Sequence, residues 1–208
     1  MGVMQLMQDP PRLVAFRRIY IHPTSGTRVI LHPLPNIAQT SFFQEMKYGL
    51  EKRIDVDKVL CEDGHLPVPT DHSRARSIRL AQRFIPFLGT SPITDDVAKF
   101  EGLAERDPIE SKMAFLSTTQ KHNPPLDPRA RRGIERVLSY PNNTSVVVPW
   151  SAYHMPYMFY ALERHGFELH KNEEVTVIDQ RHLTIGIFVV LTVSMWSVFF
   201  FFRWLFGF

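Results

Sequence analysis

The residues best placed for chemistry are Glu62, His154 and Asn36, because each follows a short apolar run of the kind that forms a buried strand. Val146-Val147-Val148 leads through Pro149-Trp150-Ser151 to His154, at the start of a helical pattern. Val59-Leu60-Cys61 leads to Glu62, and Val29-Ile30-Leu31 leads to Asn36. Open α/β sheets place their sites at the carboxyl ends of strands. A carboxylate and an imidazole delivered there can act as acid and base, or hold a divalent metal. Asn36 would add an amide oxygen, a poorer ligand for zinc than imidazole. Each residue also has a reading without chemistry. His154 can be a neutral, hydrogen-bonded imidazole at a helix N-terminus, and Glu62 a carboxylate accepting backbone or arginine donors. Asn36 can be a turn residue. His32 ends the same strand as Asn36 but is expected to point elsewhere along the sheet.

The elements that must position these groups follow from hydrophobic period and turn chemistry. Ala15 to His22 and Thr27 to His32 read as strands joined by Pro23-Thr24-Ser25-Gly26. Thr40 or Ser41 caps a helix running to about Arg53, with Phe42, Phe43, Met46 and Leu50 on one face. Val56 to Cys61 is a buried strand. Helices are predicted over 73–88 and 92–106, and prolines make Lys121 to Pro128 a loop. Arg129 to Tyr140 returns to helix, and the helix after His154 runs to about His165, where Gly166 is a natural terminator. Phe167 to His170 and Val175 to Ile178 read as a second hairpin around Lys171-Asn172-Glu173-Glu174. The order predicts an α/β or α+β domain with crossovers. The aromatic set Trp150, Tyr153, Tyr157, Phe159 and Tyr160 is expected to pack or to meet a protein partner. Arg74, Arg76 and Arg79, with Arg129, Arg131 and Arg132, read as solvated helix faces or as contacts to anionic lipid or acidic subunits.

The tail is a different kind of sequence. Leu183 to Phe202 carries no charge over 20 residues, the length a helix needs to cross the hydrocarbon core. Arg203 and Trp204 then suit a membrane interface. The chain has 208 residues, room for one α/β domain plus an appendage. Its net charge of +3 is modest and scattered, which argues against a dedicated nucleic-acid surface. A single cysteine, Cys61, excludes an internal disulfide framework and fits a reducing compartment. Met1 to Arg18 lacks the apolar core of a secretory signal. Arg12, Arg17 and Arg18 against Asp9 leave an organellar-targeting reading open, although Pro10-Pro11 interrupts a long amphipathic helix. Leu6 stands where myristoylation prefers Ser or Thr.

Taken in order, "RVILHPLPNIAQTSFFQEM", "DKVLCEDG" and "SVVVPWSAYHMPYMFYALERHGFEL" resemble the TraB/PrgY-like family, whose relatives include the TIKI metalloproteases. That family's pattern is a strand into Gly-x-x-His and a helix, a strand ending in an acidic pair, and a late strand into a second Gly-x-x-His. Here the first motif is Pro33-Leu34-Pro35-Asn36, with proline for glycine and asparagine for histidine. The second is Ser151-Ala152-Tyr153-His154, which keeps the histidine, and Glu62 is retained. The resemblance implies a degenerate member in which Asn36, Glu62 and His154 mark an eroded site and no cofactor is expected. The alternative is a divalent metal on Glu62 and His154.

The expectations are therefore an N-terminal extension over 1–14, a TraB-like α/β domain with a mixed sheet and flanking helices over 15–180, and a transmembrane anchor over 181–208. The function expected is that of a non-catalytic, membrane-anchored accessory or scaffold subunit of a larger complex, with lipids and other subunits as partners. Mitochondrial members of that family point to the inner membrane, with a respiratory-chain complex as the specific setting. Arg181 and His182 before the span would put the domain on the matrix side. The alternatives are a membrane-tethered, metal-dependent hydrolase, and a free tail-anchored protein of the outer mitochondrial or ER membrane.

Overall fold

A computed structural model describes residues 3–35, 38–52, 55–62, 88–89, 100–102 and 127–206. The expected helix over 73–88 and the side chain of Asn36 lie outside the described residues, apart from Leu88. The main elements are β1 (Met4–Gln8), β2 (Pro11–Ile21), β3 (Arg28–Leu34), β4 (Ala38–Gln39), α1 (Thr40–Lys52), β5 (Lys58–Cys61), β6 (Leu88–Gly89) and β7 (Phe100–Gly102). They are followed by α2 (Pro128–Leu138), β8 (Ser145–Ser151), α3 (Met155–Arg164), β9 (Glu168–Ile178) and α4 (Gln180–Phe206).

The sheet is mixed. β3, β8, β5 and β7 are parallel neighbours in that order, and β2 joins β3 antiparallel. Leu13, Val14 and Ala15 pair with both β1 and β9, so those strands lie on opposite edges of β2. β9 is antiparallel to β2 and therefore runs in the direction of the parallel strands. The carboxyl ends of β3, β5, β8 and β9 consequently share one edge. β4 and β6 form a separate two-stranded pair.

Alternation along the central strands divides the core in two, because successive side chains of a strand face opposite ways. Val29, Leu31, Leu60, Val146, Val148 and Trp150 meet α2 and α3 on one face. Ile30, Val59, Cys61 and Val147 meet Phe42, Phe43 and Met46 of α1 on the other. A sheet covered on both faces explains why its strands read as continuous apolar runs.

The helix ends are chemically specified. Asp127 caps α2, accepting from the Ala130 N–H at 3.0 Å, with Pro128 in the first turn. At the end of α3, Gly166 takes φ +81°. Its N–H reaches the Glu163 carbonyl at 3.1 Å while the Phe167 N–H reaches that of Leu162 at 3.0 Å, which closes the helix and turns Phe167 into the core.

Several expectations are corrected here. The residues assigned to an N-terminal extension instead carry β1 and the start of β2, both in the main sheet. The second hairpin is one uninterrupted strand, β9, whose charges pair across to β2 through Arg17–Glu173 and Arg12–Glu174. Within the helix expected over 92–106, the described residues Phe100–Gly102 form a strand parallel to β5.

α4 is long and apolar enough to cross a membrane, and buries none of its residues against the domain. At about 1.5 Å per residue it exceeds the roughly 30 Å of a hydrocarbon core. The hydroxyls of Thr184, Thr192 and Ser197 return to the carbonyls of Gln180, Phe188 and Val193, four residues back, so each finds a partner within the helix.

One packing contact can be tested directly. A Cβ at Gly133 would lie 2.6 Å from Cη2 and 2.9 Å from Cζ2 of Trp150. That ring is fully buried and pinned by its Nε1–H, which donates to the Leu60 carbonyl at 2.9 Å. Gly133→Ala gains up to about 1 kcal/mol of helix propensity, but overpacking costs about 1 to 3 kcal/mol. We predict a lower thermal midpoint for the variant in mild detergent. A raised midpoint would show that the α2–Trp150 contact is looser than described.

Candidate functional site

The carboxyl edge gathers four ionisable side chains from three places in the chain. Glu62 follows β5, His154 precedes α3, and Asp127 and Arg129 open α2. Each is positioned by its element. Tight packing of β5 on β8 delivers Glu62 beside the Ser151 N–H, which donates to its Oε2 at 3.1 Å. The Ser151 carbonyl accepts from the His154 N–H at 2.9 Å, closing the turn that lifts the imidazole over the strand ends. The Ala152 N–H donates to the Leu34 carbonyl at 2.9 Å and ties that turn to β3.

His154 lies between two carboxylates. Its Nδ1 is 2.9 Å from Asp127 Oδ2 and its Nε2 is 3.2 Å from Glu62 Oε1. Trp150 meets the imidazole edge-on, with centroids 5.6 Å apart. Arg129 completes the group: its Nη2–H donates to the Glu62 carbonyl at 2.7 Å, and its Nε lies 3.4 Å from Glu62 Oε1. The imidazole and the guanidinium are almost wholly buried, and Glu62 retains 17% side-chain exposure.

The electrostatics follow from this geometry. Burial pulls the His154 pKa down, but the hydrogen bonds and charges of Asp127 and Glu62 outweigh it and raise the group to about 9. Burial pushes Glu62 up, but His154, Arg129 and the Ser151 N–H bring it to about 2. At neutral pH the group therefore holds two cations and two anions. An imidazolium donating from both nitrogens has no lone pair for a proton or a metal. Among the described residues, no group of three His, Cys, Asp or Glu side chains could hold a metal ion. A divalent metal on Glu62 and His154 would have to replace the proton that His154 Nε2 shares with Glu62. Cys61, next to Glu62, is pushed up to about 12 by burial and supplies no thiolate.

The structure brings Glu62 and His154 into contact, while Asn36 lies outside the described residues. His32 is buried on the opposite face, its ring 5.8 Å from that of Phe42. Trp150 and Phe159 are core residues, whereas Tyr160 is 43% exposed. Asp127 and Arg129 were not singled out from the sequence: one falls in the proline-rich loop and the other in a basic run expected to be solvated. Arg129 is instead 3% exposed. The available signal for Asp127 was an acid immediately before a proline that opens a helical pattern.

The pH dependence has a definite sign. His154 is raised in the folded state, so its contribution is complete below about 6.5 and is lost as pH climbs through about 9. Glu62 is depressed, so its contribution is complete above about 4.5 and is lost as pH falls through about 2. The shared plateau is therefore mildly acidic. We predict that stability declines from pH 6 to pH 9.5. His154→Gln should cost about 3 to 5 kcal/mol at pH 6, as for removal of one partner from a buried ion pair, and should flatten the alkaline decline. Thermal melts across pH check both, and an unchanged alkaline slope in the variant would place the titrating group elsewhere.

Compared with models of known protein families, with characterised proteins and with solved structures, the chain matches none, and the meaning of this constellation rests on its geometry.

Proposed function

We propose that the chain is a TraB-like domain without catalytic function, anchored in a membrane by α4 and serving as an accessory or scaffold subunit of a larger membrane complex. The observation that carries this reading is His154, whose two ring nitrogens are both taken by carboxylates. A working base or ligand needs one of them free. The second support is α4, whose apolar surface is left entirely to lipid and to other membrane helices. The TraB resemblance favours a mitochondrial membrane, with the inner membrane and a respiratory-chain complex as the specific setting. Arg181 and His182 before the span favour the matrix side for the domain.

A metal-dependent hydrolase retains one specific support, the Glu62–His154 contact at the edge where α/β enzymes work. Extraction of the full chain from its native membrane in gentle detergent, followed by sizing and elemental analysis, separates the readings. We expect a particle well above the 24.2 kDa chain, with no metal that depends on His154. Stoichiometric metal that disappears in His154→Ala would establish the hydrolase instead, and a chain that elutes alone would remove the complex. Deleting Leu183 to Phe202 should move the protein from the alkali-resistant membrane fraction to the soluble one.

A further inference from the structure

At the sheet's carboxyl edge an apolar row ends in an exposed leucine. Leu6 of β1 is aligned with Leu13 of β2, and Leu13 with Ile178 of β9. Aligned residues on neighbouring strands share a face. One row further in, Met4 is aligned with Ala15 and Ala15 with Val175. Ala15 is fully buried, and Met4 and Val175 pack against the core beside it. Leu13 and Ile178 are part-buried and pack against the same core, whereas Leu6, at the end of the outer row, is 57% exposed.

This row is continuous with the anchor. Only Asp179 separates Ile178 from α4, and the charge-free run begins at Leu183. α4 contacts β2, and its exit is clamped. Asp179 Oδ1 accepts from the His182 N–H at 2.9 Å, while Gln39 Oε1 accepts from the Asp179 N–H at 3.3 Å and the Gln39 amide meets the His182 ring. From the Leu6–Leu13 pair, the hairpin extends two more residues to its turn, about 7 Å along a strand. From Asp179 to Leu183 the helix advances about 6 Å. The tip of the β1–β2 hairpin and the first apolar turn of the span are thus each about 6 to 7 Å of chain from the same row. Pro10 and Pro11 at that tip have no N–H to desolvate, and the exposed Asp9 suits the wet headgroup layer rather than the hydrocarbon.

We propose that the β1–β2 hairpin is a second membrane contact, seated in the headgroup layer beside α4 through the exposed Leu6 and the Pro10–Pro11 turn. The proposal rests on the reading of α4 as a membrane span. Its partner is a lipid surface, because the row runs directly into the segment that would enter lipid, and α4 contacts β2, the hairpin's second strand. Two contacts would fix the domain's tilt on the bilayer and turn the Glu62–His154 edge toward it.

The test uses the full chain in phosphatidylcholine vesicles containing an anionic lipid fraction. Cys61 is buried and stays in place, and single labelling cysteines are introduced by Leu6→Cys, Gln8→Cys, Thr24→Cys and Val193→Cys, each carrying an environment-sensitive fluorophore. Thr24 lies on the exposed turn at the opposite edge of the sheet. With spin-labelled lipids as quenchers, we expect emission at positions 6 and 8 to fall about twofold with a headgroup-depth label, as for an interfacial segment. Position 193 should respond to a mid-bilayer label and position 24 to neither. Quenching at 193 without quenching at 6 and 8 overturns the hairpin contact and leaves the anchor standing, with the exposed Leu6 open to a protein partner. No quenching at 193 overturns the anchor itself, and the hairpin proposal with it.

Discussion

The interaction on which the carboxyl edge depends is the imidazolium of His154 between Asp127 and Glu62. Taking any of these charges out of water alone would cost several kcal/mol. The fold tolerates them because they close on themselves: His154 and Arg129 offset Asp127 and Glu62, and the remaining acceptors find the Ser151 and Ala130 N–H groups. Closure has a structural consequence. Asp127 uses one oxygen to cap α2 and the other to hold the histidine that opens α3, so the two helices on that face are registered to each other and to the end of β5. A hydrophobic contact between the same elements would permit sliding; directional hydrogen bonds do not.

The same closure shapes the functional reading. An acid–base pair at a strand edge resembles an enzyme site when only Glu62 and His154 are considered. Their chemistry changes once Asp127 and Arg129 are added. With its pKa carried to about 9, His154 is a poor base at neutral pH, and Glu62 at about 2 is a poor one as well. Catalytic pairs are poised near the working pH, whereas here both groups are driven away from it.

Much of the fold was legible because burial on both faces produces uninterrupted apolar runs. β3, β5 and β8 were readable from Val29-Ile30-Leu31, Val59-Leu60-Cys61 and Val146-Val147-Val148. α3 was readable from its period and from Gly166. β9 was not, since an edge strand with solvent on much of its surface can carry Lys171, Asn172, Glu173 and Glu174 in a row, a composition that also makes turns. What marks it as a strand is Arg12 and Arg17 on β2, which pair with Glu174 and Glu173, information held in a pairing more than 150 residues distant in the chain. The site failed at the same point. Glu62 and His154 announce themselves by standing at strand ends, but Asp127 looks like a loop residue and Arg129 like surface until the helix they open is laid against α3.

β9 also explains how the apolar helix α4 is held to the sheet. Had Phe167 to Ile178 formed the expected hairpin, only the short strand Val175 to Ile178 would have joined the sheet to α4. A single strand paired with β2 over most of its length instead passes into α4 through one residue, Asp179. Asp179 is itself engaged: its side chain caps the first turn of α4 and its N–H is held by Gln39, a buried residue on the strand preceding α1. Reorienting the helix relative to the sheet would therefore break a cap, a buried amide contact and the last pairs of β2 with β9. Each bond contributes only about 1 kcal/mol, but they must be released together. The direction in which the helix leaves is accordingly a property of the sheet.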